Sequence, residues 1–306
     1  MSSVSCFICG SVSIQYRGYS VDYLVTREKF SLMECEKCGF YTTHPRPDET
    51  ELGKYYVSDE YISHTDSKKG LIDKIYNVVR NYMGRKKARI ALKYVVENKR
   101  IKPQLLDVGC GTGEFLLSAQ KVGFEGLGFE PNQHAITLAK SKGVEVVSNE
   151  EHLQRFKQLK RFEVITLWHV LEHIPDLDAK IELLKDLLTE NGVIIVAVPE
   201  YQSWDAKFYE CDWAAWDVPR HLNHFSKKSL QTLFAKHNFY LIKKYPLIFD
   251  SFYISMLSES YKNKGVIGMI RAFFVGLLSN LWALTGKFPY SSQVYVFKSI
   301  KIEQNE

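Results

Sequence analysis

Residues 105–115 read Leu-Leu-Asp-Val-Gly-Cys-Gly-Thr-Gly-Glu-Phe. Two leucines run into Asp107, glycines alternate at Gly109, Gly111 and Gly113, and an apolar run opens at Phe115. This order predicts a buried strand, a tight glycine turn and the start of a helix. Glycine at such a turn lets the backbone approach a ligand closely, because no Cβ intervenes. The helix N-terminus offers unpaired N–H groups to polar atoms. A dinucleotide-binding turn, G-x-G-x-x-G, would need glycine at 114, where Glu114 stands. The spacing is D-x-G-x-G-x-G.

Outward from this turn the chain alternates strand and helix. Strands are expected over 105–108, 126–130, 144–147, 162–168, 193–198, 239–242 and 293–300, with Gly192 breaking a helix over 181–188. Other helices are expected over 115–122 and 134–142, and Ser226 caps one that runs to Lys236. Such alternation predicts a doubly wound α/β domain, a mostly parallel sheet with helices on both faces. Ligands then sit beyond the carboxyl ends of the strands. Glu130, 23 residues after Asp107, ends the second strand, where a carboxylate can accept both ribose hydroxyls of a nucleoside.

Across about 103–302 these motifs resemble the class I S-adenosylmethionine (SAM) methyltransferases. D-x-G-x-G-x-G resembles their motif I, and Glu130-Pro131-Asn132 their motif II. The resemblance implies a seven-stranded Rossmann-like sheet whose last strand inserts antiparallel between the fifth and sixth. It implies SAM held by Asp107, Gly109, Cys110, Gly111, Gly113, Glu130 and Pro131, with Asn149 or Glu150 meeting the adenine. Residues 168–176 resemble the family segment V-L-E-H-x-x-D, which implies Trp168 and His169 beside SAM and a structural His173. His169 to His173 also matches H-x-x-E-H, an inverted zinc-protease pattern. The segment follows a strand directly and meets Pro175 at once, which leaves no room for a ligand-bearing helix.

Two further stretches frame this domain. Cys6-x-x-Cys9 and Cys35-x-x-Cys38 form two knuckles, each followed by glycine, so residues 1–44 read as a zinc ribbon. Four thiolates close a tetrahedral site, so the zinc is expected to be structural. Residues 45–102 read as a basic helical connector or lid, with helices at 70–82 and 85–99. Leu71, Ile75, Val78 and Tyr82 would form one face of the first, and Tyr55, Tyr56 and Tyr61 would line a mouth or pack the ribbon on the main domain. The window 68–102 holds twelve Lys or Arg against Asp73 and Glu97, a net charge of about +10 within a chain of +5. It suits a solvated helix face, or a polyanion, phosphorylated substrate or anionic membrane.

Residues 201–226 carry Trp204, Trp213, Trp216, Arg220, His221 and His224 in a stretch too polar for a core strand. Large aromatics with a few polar groups suit a substrate pocket. The run 219–226 resembles the P-x-H-x-x-x-F/Y-[ST] loop of small-molecule members of the class. His221 and His224 are the candidate bases, His221 favoured, since neutral histidine accepts a proton near pH 7. The excursion 249–290 contains 266–284, apolar apart from Arg271, Ser279 and Asn280. It is read as a helical hairpin or long helix closing the pocket, with contact to a membrane interface as the alternative.

No basic segment followed by an apolar core opens the chain, so a cytoplasmic setting with reduced thiols is expected, peripheral to a membrane on the alternative reading. Zinc ribbons of this sort resemble those of sugar C-methyltransferases and of ribosomal RNA guanine methyltransferases. The favoured expectation is methylation of a small molecule or glycan precursor, nucleotide- or lipid-linked. An RNA methyltransferase and a non-catalytic SAM-binding module stand as alternatives.

Overall fold

The computed structural model describes residues 5–56, 71–95, 102–159, 161–262 and 265–300. Tyr61, Glu97 and the first residues of the basic window fall outside them.

Strands β1 (Ile14–Val21), β2 (Lys29–Cys35) and β3 (Phe40–His44) form an antiparallel meander. Phe30 and Leu32 alternate inward along β2, as a half-buried strand requires. Both knuckles turn the same way. Gly10 N–H donates to Cys6 O and Gly39 N–H to Cys35 O, and both glycines sit at φ +69°. Asp48 caps the short α1 (Glu49–Leu52) by accepting from the N–H groups of Thr50 and Glu51.

One continuous helix, α2 (Leu71–Leu92), replaces the expected pair. Gly84 does not interrupt it. A Cβ there would lie 2.6 Å from Ser118 Oγ, so this glycine lets α2 press against the next helix. The expected face is also corrected. Val78 and Tyr82 are exposed, whereas Met83, Ala88 and Ala91 face the core.

The main domain then follows: β4 (Gln104–Val108), α3 (Glu114–Lys121), β5 (Glu125–Phe129), α4 (Gln133–Ser141), β6 (Glu145–Val147), α5 (Glu150–Gln154), β7 (Phe162–Trp168), α6 (Leu177–Leu187), β8 (Leu188–Pro199), α7 (Trp204–Tyr209), β9 (Asn223–His224), α8 (Lys227–Lys236), β10 (Phe239–Pro246), α9 (Asp250–Ser260), α10 (Gly265–Leu284) and β11 (Ser292–Ser299). The seven-stranded sheet has the order β10-β11-β8-β7-β4-β5-β6. β11 is antiparallel to both neighbours and the remaining pairings are parallel, as expected. Strand β8 begins at Leu188, earlier than the break expected at Gly192. Leu188 already pairs with Phe162, and a shift in register carries the strand past Gly192. Leu106, Ile165, Ile194 and Ile195 are fully buried in the sheet. Each contributes roughly 1.5–3 kcal/mol by leaving water, which accounts for the near-continuous apolar runs of the central strands.

The ribbon does not end at residue 44. β9, drawn from the expected substrate loop, pairs antiparallel with β3 and completes a four-stranded sheet, β1-β2-β3-β9. The ribbon and the loop carrying the candidate bases therefore share one hydrogen-bonded ladder.

Candidate active site

The glycine turn caps β4. Gly109 and Cys110 donate to Phe129 O at 2.7 and 3.1 Å, which ties the turn to the end of β5. The glycines at 109, 111 and 113 all adopt positive φ, but for different reasons. A Cβ at Gly109 would lie 2.5 Å from Val170 Cγ2, and one at Gly113 would lie 2.9 Å from Val144 Cγ2. A Cβ at Gly111 would meet nothing within 4 Å. Gly111 is therefore the open point of the turn, where a ligand can lie against bare backbone. Cys110 takes part through its backbone. Its sulfur lies 2.4 Å from where a Gly128 Cβ would stand, and burial pushes its thiol pKa up.

Glu130 anchors the neighbouring strand end. Its Oε2 accepts Gly111 N–H and its Oε1 accepts Asn132 N–H, both at 2.9 Å. Each oxygen keeps a second lone pair for an outside donor. Pro131 beside it is exposed. Asp107 is buried and accepts from Thr166 Oγ1 at 2.6 Å. Burial raises its pKa to about 7, against the pull of Thr166 and Lys87. Asn149 is already engaged, since its Oδ1 caps α5 by accepting Glu151 N–H at 2.8 Å. Glu150 is paired with Lys180.

The end of β7 adds the densest cluster of charge. Trp168 is flanked by Phe115, and Lys87 Nζ lies 4.5 Å from its ring centroid. Its indole N–H is buried with no partner among the described residues, a donor awaiting an acceptor. His169 takes the left-handed conformation at φ +58°. Its Nε2 lies 3.1 Å from Asp250 Oδ2 and its Nδ1 3.4 Å from Glu172 Oε1. Burial opposes a charge on His169, but Asp250 and Glu172 outweigh it and lift its pKa to about 9. Burial lowers the pKa of Lys87, with Asp250 and Asp107 pulling the other way.

Glu172 is the centre of a second cluster, with His173 and His221. It is buried, and neither carboxylate oxygen has a hydrogen-bond partner among the described residues. Burial works against its charge, yet His169, His221 and His173 hold it below the usual carboxylate range. One ring nitrogen each of His173 and His221 lies within 4.8 Å of a Glu172 oxygen. His173 Nδ1 is held by Arg220 O at 3.0 Å and by the Tyr56 hydroxyl at 3.2 Å. Burial, with His221 adding to it, pushes His173 down to about 4. His221 Nδ1 lies 2.9 Å from Ala215 O, an acceptor only, so Nδ1 donates there and the neutral tautomer of this ring carries its lone pair on Nε2.

Several expected site residues are structural. His224 lies in β9, buried edge-on against Trp216. Thr43 Oγ1 donates its one proton to His221 O, so His224 Nε2, at 3.0 Å, donates to Thr43. Burial drives the His224 pKa well below the ordinary value. Trp213 is sealed and donates to Asp205 Oδ2 at 2.8 Å, and Trp216 donates to Glu210 O at 2.8 Å. Trp204 stacks on Phe208. Arg220 is buried, and its guanidinium donates to Asp22 of the ribbon, to Asp217 and to Tyr55 O. Trp213 and Trp216, with Trp204 packed against them, share one core cluster with Phe30, Leu32, Ile254 and Val275 in the seam among ribbon, loop and α9–α10. The physical reason is area: the inner face of the ribbon had to be covered, and these aromatics cover it. Of the expected substrate set, Tyr56 reaches His173 through its side-chain hydroxyl, whereas Arg220 meets it through its backbone carbonyl.

Sequence reasoning missed Lys87, Asp250 and Glu172. Glu172 was within reach, being the acid of the V-L-E-H segment. Lys87 looked like one of many surface cations, and Asp250 came from an insertion with no motif.

The four ribbon sulfurs, Cys6, Cys9, Cys35 and Cys38, lie within 4.8 Å of one another. Cys6 and Cys38 sulfurs are 3.6 Å apart, and those of Cys9 and Cys35 are 3.5 Å apart. Tetrahedral Zn–S bonds of about 2.3 Å require sulfurs about 3.8 Å apart. The donor set fits such an ion.

A family model described as a methyltransferase domain matches residues 79–244. The ubiquinone biosynthesis O-methyltransferases of Salmonella paratyphi A and Pasteurella multocida are 31% identical over 100 and 122 residues. These alignments cover 30% and 34% of this chain and 40% and 50% of those proteins, so the chain spans half or less of their length. The magnesium protoporphyrin IX methyltransferase of Synechocystis PCC 6803 with bound SAH superposes with a TM-score of 0.53 at 12% identity. That match covers 83% of this chain and 100% of the other, and the likeness is one of fold.

Proposed function

The chain belongs to the class I SAM-dependent methyltransferases, whose domain model covers more than half of it, and on that premise we propose that it methylates a small-molecule or glycan-precursor acceptor with His221 as the base. When bound, SAM supplies an electrophilic methyl group on a sulfonium. The observation that carries the reading is the open backbone at Gly111 lying directly against the Glu130 carboxylate. Glu130 would accept the ribose hydroxyls, the bare Gly111 backbone would take the methionine part, and the unpartnered Trp168 N–H would donate to the cofactor or acceptor. Lys87 and Phe115 would cover Trp168 and keep water out.

On the acceptor side, His221 takes the acceptor's proton on Nε2. Its Nδ1–H is held by Ala215 O, which fixes the tautomer. The proton is stabilised on arrival by Glu172, a buried carboxylate that also faces His169, and by Asp217 Oδ2 at 3.9 Å. His169 is already protonated at neutral pH and so serves as a fixed cation. The curated relatives, named as O-methyltransferases of a small molecule, support this acceptor class. The RNA alternative rests on the basic window, and Lys87 from that window is committed to the Trp168 ring. We further propose that the ribbon cysteines hold one structural zinc, which ties the knuckles to the sheet that contains β9.

Incubation with methyl-labelled SAM and fractionated extract tests the acceptor class. Label is expected in a small-molecule or glycan-precursor fraction. Label in RNA would overturn the proposal.

A further inference from the structure

Helix α10 presents two unlike faces. Gly268, Ala272, Val275, Gly276, Ser279 and Ala283 form a buried stripe of small residues. That stripe brings α9 close: a Cβ at Gly276 would lie 2.9 Å from Phe252 Cα. Ser279 Oγ donates to Asp205, Asn280 Nδ2 donates to Ile248 O, and Ser251 Oγ donates to Gly276 O. The opposite face carries Ile267, Ile270, Phe273, Phe274, Leu281 and Leu284, all exposed, Ile267 at 76%. Only 33% of the most apolar window of the helix is buried. A face of this size exceeds the scattered apolar residues normal on a soluble surface.

The rim of that face is cationic. Lys287 Nζ lies 4.8 Å from the Trp282 ring centroid and Lys207 Nζ 4.8 Å from that of Phe288. Arg271 and Lys262 stand nearby, paired with Glu259 and Asp212. α10 contains no acid. The basic helix α2 meets the same hairpin where Tyr82 packs edge-on against Phe249. A second copy would bring these cations against their own kind. Crossing a bilayer would tear the small-residue face from α9 and β11 from the sheet. An apolar face with a Trp and a lysine-rich rim matches a helix lying in an anionic lipid interface.

We propose that α10 docks the protein on an anionic membrane surface and that the acceptor is lipid-borne. The second clause rests on the methyltransferase reading above. α9 supplies the link, since its first residue, Asp250, pairs with His169 after β7 while its flank packs on α10.

The test is co-sedimentation of the full chain with phosphatidylcholine vesicles, with and without phosphatidylglycerol, alongside SAM affinity and gel filtration. Binding is expected to the anionic vesicles and to weaken with salt. The pair Ile267→Glu and Phe274→Glu should lower the vesicle-bound fraction about tenfold or more, with SAM affinity unchanged as evidence of folding. Lys287→Glu with Lys207→Glu should remove the preference for the anionic lipid. Equal sedimentation of parent and Ile267→Glu/Phe274→Glu chains would overturn the docking. So would a lipid-free dimer abolished by the same pair, since the face would then be a self-interface. Vesicle binding without SAM affinity would leave the docking standing and sink the methyltransferase reading instead.

Discussion

Asp250 opens α9 and places its Oδ2 3.1 Å from Nε2 of His169, at the end of β7. An insertion without any motif thus sets the charge of a residue in the segment that follows β7. With Glu172 on the other ring nitrogen, His169 stays protonated to about pH 9, although burial disfavours the charge.

Stability should therefore fall on both sides of neutrality. The His169 pKa is raised from 6.5 to about 9, so its contribution is complete below 6.5 and is lost as pH climbs through 9. With a third of the side chain in solvent, that loss is on the order of 1 kcal/mol. His173 and His224 are depressed, His173 to about 4, so stability falls as pH drops below 6.5 and these rings are forced to charge. Urea unfolding across pH reads both limbs. Asp250→Asn should flatten the alkaline limb alone. An unchanged alkaline limb would show that Asp250 does not hold the proton.

The glycines of the turn should separate binding from folding. Gly109→Ala drives a methyl into Val170 and should cost about 2–3 kcal/mol of stability. A Cβ at Gly111 meets no protein atom within 4 Å, so Gly111→Val pays chiefly backbone strain, roughly 1–2 kcal/mol, yet fills the open point of the turn. SAM affinity by calorimetry should drop at least about tenfold. Normal SAM affinity in Gly111→Val would remove this turn from the cofactor site.

The two loop histidines should behave differently. His221→Ala should lower kcat by about 10²–10⁴ while SAM affinity holds. His224→Ala should chiefly lower the melting temperature, by breaking the Thr43 hydrogen bond and the Trp216 contact. Full turnover in His221→Ala refutes the base.

Arg220 should report on assembly. Arg220→Met leaves Asp22 and Asp217 without their buried partner and should cost about 3–5 kcal/mol, read by urea unfolding. A raised KM with undiminished stability would restore Arg220 to a substrate role.

Zinc should behave as a cross-link. One zinc per chain is expected by elemental analysis, absent in Cys35→Ser. Its removal should alter Trp fluorescence, because Tyr41 of β3 lies against Trp216. A metal-free native chain with the same spectrum would dismiss the structural zinc.

Short-range spacing made much of this protein legible. D-x-G-x-G-x-G, an acid at the next strand end, paired C-x-x-C-G knuckles and apolar runs each depend on neighbours a few residues apart. From them follow the class of fold, a glycine turn beside an acid at the next strand end, and the grouping of the four thiols. Tertiary structure decided what lies across long separations. The Trp-rich loop reads as a pocket by composition, yet β9 pairs with β3 and draws Trp213, Trp216 and Arg220 into a seam. Lys87 and Asp250 meet Trp168 and His169 at the end of β7 only because α2 and α9, far apart in sequence, carry them there. Composition records that such residues are polar or aromatic. Which side of an interface they occupy depends on burial, and burial is set by contacts between segments that no local pattern connects.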